Sequence, residues 1–179
     1  MLFSISVVLL LEVKYPTIVK ITKKEQGLIM KKDVIISILG LQQADTPETD
    51  NVTLVTQGRY YRHGDKYFVS YDETELTGLD GTRTTLKIED DAVTVLRTGR
   101  YPSQLVFQMG KKHTSLYNTD FGDLTISVCT RNIKKALNDS GGFLDVKYEV
   151  EIDHAYAGSN HLQVDIKEMT NSTEGEELQ

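Results

Sequence analysis

The stretch FLDVKYEVEIDH, residues 143–154, shows most clearly how this chain folds. Every second residue from Leu144 to Ile152 is apolar or aromatic, and the residues between them are charged. Successive side chains of a β-strand point to opposite faces of a sheet, so the pattern predicts a strand with one dry and one wet face. The carboxylates share the wet face and His154 continues the dry one. We therefore interpret the carboxylates as a solvated outer face and not as part of a site with this histidine.

Similar strand patterns recur through most of the chain. Segments of five to nine residues, rich in Val, Ile, Thr, Tyr and Phe, are separated by turn-forming residues about every 10–12 positions. Examples are VIISILGLQ, VTLVTQGRYYR, KYFVSYDE, TRTTLKIE, AVTVLRTG, SQLVFQM, HTSLYNT, LTISVCT and NHLQVDIK. This spacing is typical of an antiparallel sandwich or barrel. Because one side of many segments is apolar, we predict a sheet that curls around a single core.

One segment departs from this pattern. In NIKKALND, Ile133, Ala136 and Leu137 are spaced for one face of a helix, and the glycines Gly141 and Gly142 follow as a stop signal. Eight helical residues are far too few for the crossover helices of a parallel sheet. The sequence therefore predicts an all-β fold, a single antiparallel β-barrel of about 8–10 strands with one short helix.

The two ends of the chain differ from its middle. Residues 1–29 hold the apolar run FSISVVLLL, which is shorter than the roughly 20 residues that span a bilayer and lacks the basic flank of a signal peptide. We interpret residues 1–29 as an extension from a misassigned start codon upstream of Met30, or as a disordered segment. Residues 30–168 form the barrel domain, and residues 169–179 are predicted to be a disordered acidic tail.

Composition and motifs exclude several function classes. The net charge of −6 argues against a nucleic-acid binder, and no segment predicts a membrane span. A single cysteine, Cys129, allows no internal disulfide and no CxxC motif. The histidines lack HxH or HExxH spacing, and no GxSxG motif is present. We therefore predict no metal, no cofactor and no catalytic residue.

Several runs of the sequence resemble a known family when they are taken together. They are YDETELTGLDGTRTTLKI, LRTG, SLYNT and the segment from Gly141-Gly142 to Tyr148. The chain from Met30 to about Lys167 resembles the YwiB-like family, small bacterial cytoplasmic proteins classed as a domain of unknown function. The resemblance implies a calycin-like β-barrel, which lipocalins and fatty-acid-binding proteins share in outline, and a cytoplasmic location. It implies no activity and no catalytic residues.

Three residues are candidate ligand contacts. Arg97 falls on the apolar face of its strand with Val93 and Val95, and a guanidinium inside a barrel is costly unless it is paired. It either pairs with a carboxylate or reaches water at the barrel mouth, or it binds an anionic ligand group. Tyr117 and Tyr148 each combine an apolar ring with a polar tip, which suits a ligand cavity or a core with one internal hydrogen bond.

These observations lead to two functional hypotheses. The first is a non-enzymatic binder of a small apolar or amphipathic anionic molecule, with polar contacts from Arg97, Tyr117 and Tyr148. The alternative is a protein-interaction or regulatory module whose barrel is filled by its own side chains. The inward faces carry many Val, Leu and Ile and few small residues, which favours a filled interior. A carrier of a small molecule needs a pocket of at least about 300 Å³.

Overall fold

The computed structural model describes residues 31–43, 49–119 and 122–169, with the backbone alone at residues 49–50, 117–119 and 122–123. The predicted N-terminal extension and all but the first residue of the predicted tail lie outside the described residues. The described chain forms ten strands: β1 (Lys32–Gln43), β2 (Thr49–His63), β3 (Lys66–Asp72), β4 (Thr82–Ile88), β5 (Ala92–Gly99), β6 (Ser103–Gln108), β7 (Lys112–Thr119), β8 (Gly122–Asn138), β9 (Gly141–Ile152) and β10 (Ala155–Glu168). A 3₁₀ turn at Glu75–Thr77 is the only helical element among them, and no described helix is long and apolar enough to cross a membrane.

The strands form one antiparallel sheet in the order β6-β5-β4-β3-β2-β1-β10-β9-β8-β7. The sheet curls until its two edges, β6 and the β7–β8 pair, meet at a seam. There the backbone N–H of Gln108 donates to Thr130 Oγ1 at 3.1 Å, and the Gln108 side chain lies 3.3 Å from His113 Nε2. Side chains therefore join the edges where a backbone ladder would close a full barrel. The predicted all-β antiparallel barrel is confirmed, with ten strands and a near-closed wall.

Inward side chains fill most of the interior. Across β3 to β6 the ladders align Val69, Leu86, Val95 and Leu105 in one row, and Tyr67, Ile88, Val93 and Phe107 in the next. Opposite them, the other strands contribute Val34, Ile36, Leu144, Val146, Val164 and Ile166. Tyr60 is 1% exposed, and its hydroxyl donates to the carbonyl of Asn138 at 2.7 Å. The favoured prediction of a filled interior therefore holds for these rows.

The predicted short helix is wrong, because its residues form the second half of strand β8. The side chains of Ile133, Lys135 and Leu137 are half-buried, while Lys134 and Ala136 are exposed, which is the period of a strand. Lys135 lies on the inner face, so a charged residue interrupts the inward run of apolar side chains and the strand alternation is not apparent from the sequence. Its Nζ donates to the carbonyl of Glu89, so the aliphatic stem is buried while the charge reaches an acceptor.

The glycine pair predicted to stop that helix instead begins strand β9. Gly141 and Gly142 have φ of 127° and 135°, which L side chains rarely adopt. A Cβ at Gly141 would collide with the carbonyl oxygen of Ile166, and one at Gly142 with that of Ala136. Glycine is therefore required here because β9 begins in close contact with both neighbouring strands.

Candidate functional site

A row of polar side chains crosses the inner face of β3 to β6. The ladders align Tyr71 with Thr84, Thr84 with Arg97, and Arg97 with Ser103. Tyr71, Thr84 and Ser103 are buried, and the Arg97 side chain is 14% exposed. We call these four residues the first polar row. It lies two residues along each strand from the apolar row that contains Val95.

A second polar row lies on the other half of the barrel. The ladders of β1, β10, β9 and β8 align Gln42, Asn160, Tyr148 and Thr130. Gln42 and Thr130 are buried, and Tyr148 is half-buried with its ring against the core. The ring of Tyr148 packs on Phe107 of β6, with 4.7 Å between centroids. This contact, together with the hydrogen bond from the backbone N–H of Gln108 to Thr130, brings the second row against the β5–β6 side of the seam.

Glu73, directly after β3, places a buried carboxylate beside Arg97. Its side chain is only 2% exposed, and it accepts a hydrogen bond from the hydroxyl of Thr84. Arg97 Nε lies 3.9 Å from Glu73 Oε1, which is close enough for charge pairing but too long for a hydrogen bond. The sequence analysis missed Glu73. The signal was available, because Glu73 continues the inward alternation of Val69 and Tyr71.

The two polar rows contain every buried side-chain nitrogen or oxygen without a hydrogen-bond partner among the described residues. These atoms are Arg97 Nε, Arg97 Nη1, Ser103 Oγ and Asn160 Nδ2. Three of the four are nitrogens that can only donate. Leaving a buried donor unpaired costs about 1–3 kcal/mol, so such groups are rare and concentrated where a structure serves something other than its own stability. The rows together present an excess of donors to the interior.

Two buried tyrosine hydroxyls lie within the same rows. Burial raises the pKa of Tyr148 to about 12, and the positive charge of Arg97 acts in the opposite direction. Burial also raises the pKa of Tyr71 well above its usual range, helped by the negative charge of Glu73 and opposed by Arg97. Both hydroxyls are therefore neutral at physiological pH, able to donate a hydrogen bond but unable to act as general bases there.

The structure brings two of the three predicted contacts to the same part of the interior. Arg97 lies on the inner face as predicted and has Glu73 as the neighbouring carboxylate. Tyr148 lies on the inner face as well. The side chain of Tyr117 lies outside the described residues, so its role stays a prediction. Glu73, Ser103 and Asn160 extend the set beyond the sequence-based candidates.

Neither Arg97 nor Tyr148 lines the two main grooves on the described surface, although Tyr71 lines the first of them. The first, of about 240 Å³, is lined by residues of β1 to β4, and the second, of about 470 Å³, by residues of β1, β2 and the end of β10. Both share Asp33, Gln57 and Gly58, at the place where β2 separates from β3. Neither groove is a barrel interior of the kind that lipid carriers use.

The carboxylates of residues 149–153 all have partners, Glu149 and Glu151 on the outer face of β9 and Asp153 in the turn that follows it. Glu149 accepts from Arg131 at 2.5 Å, Glu151 pairs with Lys112, and the carboxylate of Asp153 accepts from the backbone N–H of Thr125. No group of three or more potential metal ligands occurs among residues 31–43, 49–119 and 122–169.

His154 does not continue the inner face of β9, contrary to the sequence-based expectation. Asp153 and His154, with φ of 49° and 68°, form the two-residue turn between β9 and β10. The strand alternation therefore ends at Ile152, and the imidazole lies exposed at a hairpin tip.

Comparisons with known proteins agree with this architecture. The chain is 27% identical over 97 residues to the uncharacterized beta-barrel protein YwiB of Bacillus subtilis strain 168, an alignment that covers 54% of this chain and 67% of that protein. The crystal structure of the ywiB protein from Bacillus subtilis superposes with a TM-score of 0.68 at 20% identity, covering 79% of this chain and 96% of the other, which shows a shared fold. The model of the Domain of unknown function family DUF1934 matches residues 36–164. The chain therefore belongs to the DUF1934 family of β-barrel proteins.

Proposed function

We propose that the barrel binds one small, acceptor-rich anionic group, such as a carboxylate or another oxyanion, between its two polar rows, and that it catalyses no reaction on it. The observation that carries this proposal is the excess of unpaired buried donors. Arg97, Ser103 and Asn160 hold all four unpartnered atoms. An oxyanion offers several lone pairs in a small volume and so matches this donor set.

The charge at the site is balanced before any ligand arrives. Glu73 neutralises Arg97, but its carboxylate is already engaged by Thr84, and the 3.9 Å separation leaves the guanidinium nitrogen Nε without a hydrogen bond. A bound acceptor would therefore supply hydrogen bonds that Glu73 does not. Arg97 would hold the anionic group, while the neutral hydroxyl of Tyr148 would donate from the opposite side.

The apolar rows limit the size of the ligand. Val93, Phe107 and Leu144 are almost completely buried, and their side chains occupy the space that would take an acyl chain in a lipid carrier. The proposed ligand is therefore compact, a few heavy atoms in size, and needs much less space than the roughly 300 Å³ of a pocket that holds a larger molecule. The same observation favours a second candidate function, a filled barrel that acts as a protein-interaction or regulatory module without any small ligand.

A thermal-shift experiment separates these two functions. The full chain is heated with formate, acetate, octanoate, phosphate or sulfate at constant ionic strength. A probe at about 10 mM with a Kd of about 1 mM stabilises the folded state by about 1.4 kcal/mol, or roughly 3–6 °C. We expect at least one small probe to produce this shift, and octanoate to add nothing over acetate.

A charge-neutral double variant, Arg97→Gln with Glu73→Gln, tests the site itself without leaving a buried charge. Its matched control is Arg83→Gln with Asp72→Asn, which removes an exposed pair between the adjacent strands β4 and β3. We expect the shift to disappear in the first and to persist in the second. The proposal is wrong if no small probe stabilises the protein, or if the interior double variant responds as the wild type does.

A further inference from the structure

Strand β2 has an open edge along more than half of its length. On one side it pairs with β1 from Thr49 to Tyr60, but on the other it pairs with β3 only from Arg59 to His63. No described residue forms a ladder with the remaining edge, residues 49–58. The strands separate at Gly58, where a Cβ would lie 2.6 Å from the carbonyl oxygen of Ser70. The near-closed barrel therefore does not remove all of its edges.

The β2–β3 hairpin determines which backbone groups face this open edge. His63 and Lys66 pair directly across a two-residue turn, so they form a hydrogen-bonded pair, as do alternate pairs along the ladder. The odd-numbered residues of β2 thus point their N–H and C=O groups toward β3. Beyond Gly58 the same groups have no partner strand in the part of the chain that the structure describes. They belong to Asn51, Thr53, Val55 and Gln57, whose side chains are all exposed on the outer face.

The sequence of this edge lacks the usual protection against pairing. Between Asp50 and Arg59, residues 51–58 read NVTLVTQG, with no charged residue and no proline. Exposed edges normally carry lysine, proline or a bulge that prevents another strand from adding to the sheet. Val55 is instead 64% exposed. The edges at the seam differ, because Gln108 and Thr130 join them across it.

We propose that this edge of β2 pairs antiparallel with the same edge of a second copy of the chain, and so forms a two-fold symmetric dimer. Each copy carries a net charge of −6, so two copies repel each other least where neither presents a charge. A two-fold axis at Leu54 sets Val55 opposite Thr53 of the second copy, and Asn51 opposite Gln57. The four odd-numbered residues of each copy then exchange about eight backbone hydrogen bonds.

A lysine substitution tests the dimer without disturbing the core. Val55→Lys places two positive charges in the centre of the proposed interface, where the wild type has β-branched pairs. The matched control is Leu96→Lys, on the outer face of β5, which has strands on both sides and an exposed fraction of 38%. We expect sedimentation velocity of the full-length wild type and of Leu96→Lys to show a concentration-dependent dimer, and Val55→Lys to dimerise at least tenfold more weakly.

Amide hydrogen exchange shows whether the correct edge is used. The N–H groups of Thr53 and Val55 should exchange more slowly as the concentration of the wild type rises, whereas in Val55→Lys the amide of Thr53 should stay fast. Three results would overturn the proposal: a wild type that is monomeric at every concentration, a dimer in which these amides remain fast, or protection that does not depend on concentration. The last would mean that another part of the same chain covers the edge.

Discussion

Two rows of side chains on the same four strands serve different purposes. Val69, Leu86, Val95 and Leu105 form an apolar row, and two residues further along each strand Tyr71, Thr84, Arg97 and Ser103 form the first polar row. The backbone is regular through both. The apolar row stabilises the fold because it removes hydrophobic side chains from water. The first polar row instead leaves three buried side-chain atoms without a hydrogen-bond partner. The contrast separates a layer that stabilises the fold from the layer that holds the proposed binding site.

The largest expected effect comes from the apolar layer. Phe107 is almost fully buried and packs on Tyr148, so Phe107→Ala should lower the free energy of unfolding by about 3–5 kcal/mol. Urea unfolding measures this loss, with the half-exposed Leu96→Ala as control and a loss well under about 1 kcal/mol. A similarly small loss for Phe107→Ala would mean that the interior is loosely packed and that a larger ligand could enter.

A smaller effect on stability is expected from the charge pair between Arg97 of the first polar row and Glu73. Arg97→Gln leaves the carboxylate of Glu73 buried without a counter-charge and should cost about 3 kcal/mol. Adding Glu73→Gln removes that charge, so the double variant should be more stable than Arg97→Gln alone by at least about 1 kcal/mol. Additive losses in the same unfolding measurement would show that the two charges do not interact.

The two members of the first polar row that flank Arg97, Thr84 and Ser103, should respond differently to the loss of their hydroxyls. Thr84 donates to the Glu73 carboxylate, so Thr84→Val should cost about 1.5–2 kcal/mol for a lost bond to a charged group. Ser103 Oγ has no partner, so Ser103→Ala should be neutral or slightly stabilising. Equal losses at the two positions, measured by urea unfolding, would contradict the hydrogen-bond assignment of the row.

The smallest effect at neutral pH concerns Tyr148, whose pKa is raised to about 12 by burial. Its neutral hydroxyl favours the folded state fully below the ordinary tyrosine pKa of about 10, and this contribution is lost as the pH rises toward about 12. The stability difference between wild type and Tyr148→Phe should therefore decrease over that range and stay constant below it. Urea unfolding at successive alkaline pH values measures the difference. Ultraviolet titration should also show one late-ionising tyrosine fewer in the variant.

The sequence predicted the barrel because strand alternation is a local signal. The inward positions of Arg97 and Tyr148 followed from their spacing to Val95 and Val146 along the chain. The wrong prediction of a helix in the second half of β8 has the same origin. Lys135 occupies an inward position, so the true alternation was broken while Ile133 and Leu137 matched a helical spacing by coincidence.

The composition of the candidate site could not be predicted in the same way. Arg97 and Ser103 meet because the β5–β6 register aligns them, and one sequence does not reveal that register. Asn160 becomes relevant only because β10 pairs with β9 beside Tyr148. The open edge of β2 depends on where β3 separates from it, which is also a property of pairing and not of local pattern.

Native mass spectrometry of the protein isolated from its own organism tests whether the barrel interior binds a small anion. The mass of the folded protein is compared with that of the same sample sprayed under denaturing conditions, for the wild type and for the Arg97→Gln, Glu73→Gln double variant. We expect a small acidic molecule bound once per wild-type chain and absent from the double variant. Identical folded and denatured masses for the wild type, or the same bound molecule in both proteins, would contradict it.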